Sequence, residues 1–292
     1  MSITVTLLGT GSPRPGGTRF SQSTLVEAGG HRLLIDCGRG AVQRLGQLEV
    51  PLGEVGPVFL THLHSDHVLA LPDLWITGWH LPPTWRERAF EVYGPAGTRA
   101  MFDHLEAAYE VDRRVRTEDE GLGPEGIALD VTDVDEGPVW ERDGVTVEAI
   151  RVSHWPQPDA PVSLGYRVVH GGHSVVFSGD TRKSGHLAEA ARGADLFIHE
   201  VAGMPTGSPA PEPGTQGARI LGHHTSPQQA GEVFAIARPR LAVYSHIIQW
   251  RGVTEQELLT QSSETYDGRV IVGRDLMRIT VGDEIEVEEL LA

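Results

Sequence analysis

Two segments far apart in the chain share one design, STLVEAGGHRLLIDCG at 23–38 and LGYRVVHGGHSVVFSGD at 164–180. Aligned without gaps, Val26, Gly29, Gly30 and His31 fall on Val168, Gly171, Gly172 and His173, and each copy then runs through three apolar residues. A Gly-Gly pair between two apolar runs reads as a tight β-hairpin, because both central residues of such a turn need positive φ. A chain that makes the same hairpin twice is constrained to two similar halves. In each half an apolar strand then stops at a polar cluster: PVFLTHLHSDH in the first, ADLFIHE and RLAVYSHI in the second. Helical segments are expected between them at 96–110, 184–193, 226–238 and 254–264, the third opening on Ser226-Pro227, a cap followed by proline at the first helical position. Strands mixed with helices in two repeats predict an α/β fold of two packed sheets with helices outside, a single domain over 1–292. Residues 112–126, acidic and glycine-rich, and the Pro/Gly stretch 202–217 are expected to be irregular, the second as a lid.

Composition narrows the function classes. No apolar run approaches the roughly 18 residues needed to cross a bilayer, and no basic segment precedes the first apolar strand, so a cytoplasmic protein without a membrane partner is expected. The one cysteine, Cys37, cannot form an intramolecular disulfide. Formal net charge is −16 and Lys183 is the only lysine. Such a surface repels a polyanion at long range, which argues for a small-molecule substrate and against a nucleic-acid partner.

The segment VFLTHLHSDHVLALPDL at 58–74 carries His62, His64, Asp66 and His67 directly after an apolar run. Two residues apart in extended chain, the rings of His62 and His64 project to one side, and Asp66 and His67 follow where the chain turns into a helix. Imidazole with carboxylate suits Zn²⁺, or Mn²⁺ and Fe²⁺ as oxygen donors increase. His154 after VEAIRVS, Asp180 after VVFSG and His246 after LAVYS stand where three further strands end. If both halves open on the same edge, seven ligands make two sites.

The ordered set LGTGSPRP, LLIDCGRG, FLTHLHSDHVLALPDL, VYGPAGT, VSH, VFSGDT, FIHE, GHHTS and YSHI resembles the metallo-β-lactamase superfamily, and within it the ribonuclease Z-like and arylsulfatase-like hydrolases. The resemblance implies a four-layer αβ/βα sandwich and two divalent metal ions, zinc first among them. His62, His64 and His154 would hold one ion, Asp66, His67 and His246 the other, with Asp180 between. Two ions about 3.5–4 Å apart can share a hydroxide and clamp both oxygens of an in-line displacement. His64 is not the glutamate of the redox diiron branch, and Asp180 is not the cysteine of one major β-lactamase class; both departures favour esters and phosphodiesters.

By the same resemblance Asp66, His223 and Glu200 are the catalytic residues, His223 near the scissile group and oriented by Glu200, with His224 the neighbouring alternative. Asp36 would support the histidine loop. Trp75 and Trp79, four apart, line either an apolar substrate pocket or the core. The long tRNA-binding arm of ribonuclease Z would lie between His154 and Asp180, where only the second hairpin fits, and SPRPGGTRFSQS replaces that family's arginine-rich loop. The expectation is therefore a small phosphodiester or related ester as substrate, with tRNA 3′ processing, or arylsulfatase, lactonase or β-lactamase activity as alternatives, and a homodimer by family habit.

Overall fold

The computed structural model describes residues 1–15, 18–82, 85–155, 157 and 160–290. The first half builds strands β1 (Ile3–Gly9), β2 (Ser23–Ala28), β3 (His31–Cys37), β4 (Val55–Phe59), β5 (Phe90–Gly94) and β6 (Leu129–Asp133). The second builds β7 (Gly137–Arg142), β8 (Val145–Val152), β9 (Ser163–His170), β10 (His173–Phe177), β11 (Leu196–Gly203), β12 (Leu241–Gln249) and β13 (Val270–Val272). A terminal hairpin, β14 (Met277–Val281) and β15 (Ile285–Glu289), returns to the first sheet. The sheet orders are β15-β14-β1-β2-β3-β4-β5-β6 and β13-β12-β11-β10-β9-β8-β7.

The repeated hairpins are β2–β3 and β9–β10. Their turns are conformationally alike, with φ of 57° and 83° at Gly29 and Gly30 and 59° and 87° at Gly171 and Gly172. Between the sheets lies one apolar layer drawing Val5, Leu7, Val26 and Ile35 from one and Val147, Tyr166, Val168 and Val175 from the other. Outside the first sheet pack α1 (Ala41–Gln47), the one-turn α2 (Ser65–Val68), α3 (Leu71–His80) and α4 (Thr98–Ala108). α5 (Glu110–Asp119) follows α4 directly. Outside the second sheet lie α6 (Gly185–Ala190), α8 (Pro227–Ala237) and α9 (Glu255–Ser263), and the short α7 (Gln216–Gly222) precedes α8 without joining their apolar cluster. The architecture is the expected four-layer α/β sandwich. No helix among the described residues is long and apolar enough to cross a membrane.

One expectation changes, and one alternative left open is decided. Residues 110–119 are helical where the chain was expected to be irregular from 112 onward. α5 buries no residue, so it lacks the apolar stripe that marks a helix in sequence. Its support is electrostatic: Arg116 pairs with Asp112 at 3.1 Å and with Glu120 at 3.2 Å, each one turn away, and Arg113 reaches back to Glu106 at 2.9 Å. Trp75 and Trp79 belong to the core under the first sheet, at 0% and 2% exposure, and line no substrate pocket. Their indole N–H groups donate to the Ile127 and Gly123 carbonyls at 2.9 and 3.0 Å.

Across the sheet interface the Tyr166 hydroxyl donates to the Leu60 carbonyl at 2.8 Å, and the Leu164 amide donates to the Thr61 carbonyl at the same distance. These bonds join the root of the histidine loop to the second half of the molecule. Tyr166→Phe is expected to destabilise the fold by about 1–3 kcal/mol, because a fully buried carbonyl loses its donor. A lower urea midpoint at unchanged slope checks this; an unchanged midpoint contradicts it.

Candidate metal centre

The histidine loop leaves β4, passes Leu60 and Thr61, and turns into α2 at His64, and it contributes His62 and His64 to one group of ligand atoms and Asp66 and His67 to another. Asp36, at the end of β3, fixes the loop from below. Its carboxylate accepts the Thr61 amide at 2.8 Å, the Thr61 hydroxyl at 2.9 Å and the His67 Nδ1–H at 2.7 Å. With the Thr61 hydroxyl committed to Asp36, the His62 Nδ1–H donates to its oxygen at 3.1 Å. Both rings therefore present Nε2 inward, which is the supporting role foreseen for Asp36.

The second half supplies the other members. His154 follows β8, and its Nδ1–H donates to the His223 carbonyl at 3.1 Å, again leaving Nε2 for the centre. Asp180 follows β10 through Gly179, whose φ is 57° and whose Cα lies so close to the Leu164 carbonyl that a Cβ would meet that oxygen at 2.3 Å. Only glycine turns the chain there. His246 is an extra residue in β12: Glu200 pairs with Ser245 and Val201 with Ile247, so the ladder skips His246, which sits at φ 44°. This bulge aims its ring at the centre instead of along the sheet.

The nitrogens and oxygens converge. His62 Nε2 and His154 Nε2 lie 2.9 and 3.4 Å from His64 Nδ1. His246 Nε2 is 3.2 Å from Asp66 Oδ2 and 3.3 Å from Asp180 Oδ2, and His67 Nε2 is 3.5 Å from Asp180 Oδ1. Three groups each have ligand atoms within 4.8 Å of one another: His62, His64, His154 and Asp180; Asp66, His67 and His246; and Asp180, His224 and His246. All seven residues expected as ligands come together here, with Asp180 against both sets.

Electrostatics shows that the residues fit divalent ions. Burial pushes the His62 imidazole well below its ordinary range and His154 down to about 4, so both rings are neutral with free lone pairs. Burial alone would raise Asp180, yet His246, His67 and His62 around it hold its carboxyl well below the usual range. Burial likewise opposes charge on His67, but Asp180 and Asp36 outweigh it and raise that ring. His67 Nε2 and Asp180 Oδ1 are buried without a hydrogen-bond partner. Neutral imidazoles facing one another beside anionic carboxylates and unpartnered buried polar atoms are the chemistry of a cation site.

Glu200, on β11, receives His224 and not His223. The His224 Nδ1–H donates to Glu200 Oε1 at 3.0 Å, where the Thr181 and Thr225 amides also donate, at 3.1 and 3.2 Å. Burial lowers the His224 ring, but Glu200 overrides it and lifts it to about 9. His223 caps the end of α7, offering its carbonyl to His154 and its half-exposed ring to the outer cleft. The doubled histidine hides this register in the sequence, since nothing in the local pattern says which of two adjacent histidines reaches Glu200.

One residue near the centre carries no signal in the ligand pattern. Trp155, next to His154, stands with its ring centroid 4.3 Å from that of His154 and 4.7 Å from that of His64. An indole beside a ligand histidine was the available clue.

Residues 31–247 match the family model described as a beta-lactamase superfamily domain. The chain belongs to the metallo-β-lactamase superfamily and is a metal-dependent hydrolase acting on ester bonds. Among its relatives, the protein named ribonuclease Z from Mycobacterium avium (strain 104) is 36% identical over 290 residues, covering 96% of this chain and 98% of its own length. The ribonuclease Z of Mycobacterium marinum is 34% identical over 288 residues, with 96% and 99% covered. Among solved structures, the metallo-beta-lactamase fold protein YhfI from Bacillus subtilis matches with a TM-score of 0.71 at 18% identity, covering 96% of this chain and all of that one. The short form of human tRNase Z matches at 0.65 and 22% identity, covering 96% and 99%.

Proposed function

We propose that this protein is an endoribonuclease of the ribonuclease Z type, cleaving a phosphodiester near the 3′ end of a precursor tRNA with two divalent ions, zinc first among them, held by the seven His and Asp residues. The observation that carries the reading is full-length similarity to proteins named ribonuclease Z, the M. avium protein being covered over 98% of its length. The expectation of a small ester, with no nucleic-acid partner, gives way on two grounds. These relatives are about the same length as this chain, so a long arm is not what distinguishes proteins of that name. Net charge is also an average: Arg39 and Arg219 lie on the segments that carry Asp36 and His224, and local arginines decide phosphate contact.

When bound, divalent ions supply Lewis-acid stabilisation of the charge that builds on a transferring phosphoryl group. The chain's own residues do the rest. Asp66 and Asp180 set the negative charge of the site, and Asp36 and Thr61 hold the tautomers of His67 and His62. His224, its Nδ1 committed to Glu200, offers a proton at Nε2 to the leaving oxygen or to the charge developing beside it. On this reading the protein works in the cytoplasm as one hydrolase domain.

The test is a 5′-labelled precursor tRNA carrying a 3′ trailer, incubated with the metal-loaded protein. A single endonucleolytic cut that removes the trailer is expected, with a rate that falls as salt is raised. An intact precursor, alongside turnover of bis-(p-nitrophenyl) phosphate, would return the assignment to a small phosphodiester.

A further inference from the structure

Outside the ligand cluster opens a cleft of about 390 Å³ lined by His64, Trp155, Gln157, Ala160, Pro161 and His223. It meets the ligand cluster at His64, which belongs to both. Trp155 is half-buried. One side of its indole packs on the rings of His154, His64 and His62, at centroid distances of 4.3, 4.7 and 5.6 Å, and the remainder borders the cleft.

The turn that carries the ring is held from behind. Arg182, two residues beyond Asp180, donates through Nη2 to the Ser153 hydroxyl at 2.5 Å and to the Trp155 carbonyl at 3.1 Å, and through Nε to the Ser153 carbonyl at 3.3 Å. One guanidinium thus spans the turn that carries His154 and Trp155. A large aromatic group left partly in water, fixed by backbone contacts and placed beside the reacting centre, is a preorganised stacking surface. Packing of the core does not require it, because it belongs to none of the three apolar clusters.

We infer that Trp155 is a specificity-determining residue that stacks a nucleobase flanking the scissile phosphodiester. The inference rests on the phosphodiester reading above and deepens it. Stacking suits this chain on physical grounds. A base is uncharged, and its π-face meets an indole without an ionic term. Pro161 and Ala160 give apolar walls, while His223 and Gln157 offer polar groups at the rim.

The test compares two p-nitrophenyl esters, thymidine 5′-(p-nitrophenyl) phosphate and its abasic counterpart on 1,2-dideoxyribose. They share the leaving group and differ in the base. The wild-type protein is expected to prefer the thymidyl ester. Trp155→Ala should shrink the ratio of kcat/KM between the esters by about tenfold, mainly through KM, and Trp155→Phe should restore most of it. The change in ratio should persist from low to high salt. An unchanged ratio in Trp155→Ala, with metal content equal to wild type, overturns the inference.

Calorimetry with thymidine 5′-monophosphate and with ribose 5-phosphate reads the same contact without turnover. Trp155→Ala should weaken only the first; equal weakening of both, or of neither, overturns the stacking. If the wild-type protein cleaves neither the esters nor a precursor tRNA, the phosphodiester reading fails, and the calorimetry still decides whether Trp155 binds a base.

Discussion

Asp180→Ala is expected to lower bound divalent metal in both halves of the centre and to reduce turnover by about a hundredfold or more, since even indirect supports of a ligand are worth 10–100-fold in affinity. Among the described residues, Asp180 is the carboxylate that lies against both sets: its oxygens are 3.9 Å from His62 Nε2, 3.5 Å from His67 Nε2 and 3.3 Å from His246 Nε2. Removing it takes away the negative charge that balances these rings, so loss at one site alone is not expected. His154→Ala removes a member of one set only, and should chiefly affect that set. Elemental analysis of the two variants beside wild type checks the contrast; equal metal content in Asp180→Ala and wild type would remove Asp180 from the centre.

His224→Ala should lower kcat by about 10²–10⁴ while metal content stays near wild type, because the residue acts through a proton and not through charge balance. The geometry behind this is the chain of Glu200 Oε1, His224 Nδ1 and the centre, with His224 within ligand distance of Asp180 and His246. Leaving groups separate its two roles. If His224 protonates the leaving oxygen, the loss should be smaller for a nitrophenolate than for an alkoxide; equal losses would assign it to charge stabilisation. Glu200→Gln should reproduce part of the loss by freeing the ring to rotate and lowering its basicity. His223→Ala should cost less than His224→Ala, and the reverse order would contradict the placement of Glu200 on His224.

Much of the candidate centre is legible in the sequence, for a physical reason. The candidate ligands His62, His154 and Asp180 follow the ends of β4, β8 and β10, where an apolar run stops, whereas His246, expected at a strand end, lies inside β12 as a bulge. The paired Gly-Gly turns announced the two halves because only glycine tolerates those φ values without strain. What escaped the sequence lacked such marks. α5 is held by ion pairs along an exposed face and has no apolar period. The bulge that turns His246 inward is a property of pairing between β11 and β12, which no local pattern records. Trp75 and Trp79 carry the helical spacing of a core face, and a spacing alone does not say whether a ring faces a cleft or another layer. The preference for a small ester came from total charge and a missing arm, both properties of the whole surface, whereas RNA contact is decided by a few residues around the site.

The measurement that bears most directly on the account is a metal titration of chelator-stripped protein, followed simultaneously by metal binding and by cleavage of a precursor tRNA with a 3′ trailer. Trailer removal should be absent without divalent ions, should rise as Zn²⁺ or Mn²⁺ is added, and should level off at two equivalents bound per chain. Trailer removal at the full rate in excess chelator, or saturation of binding at one ion or none, would contradict it.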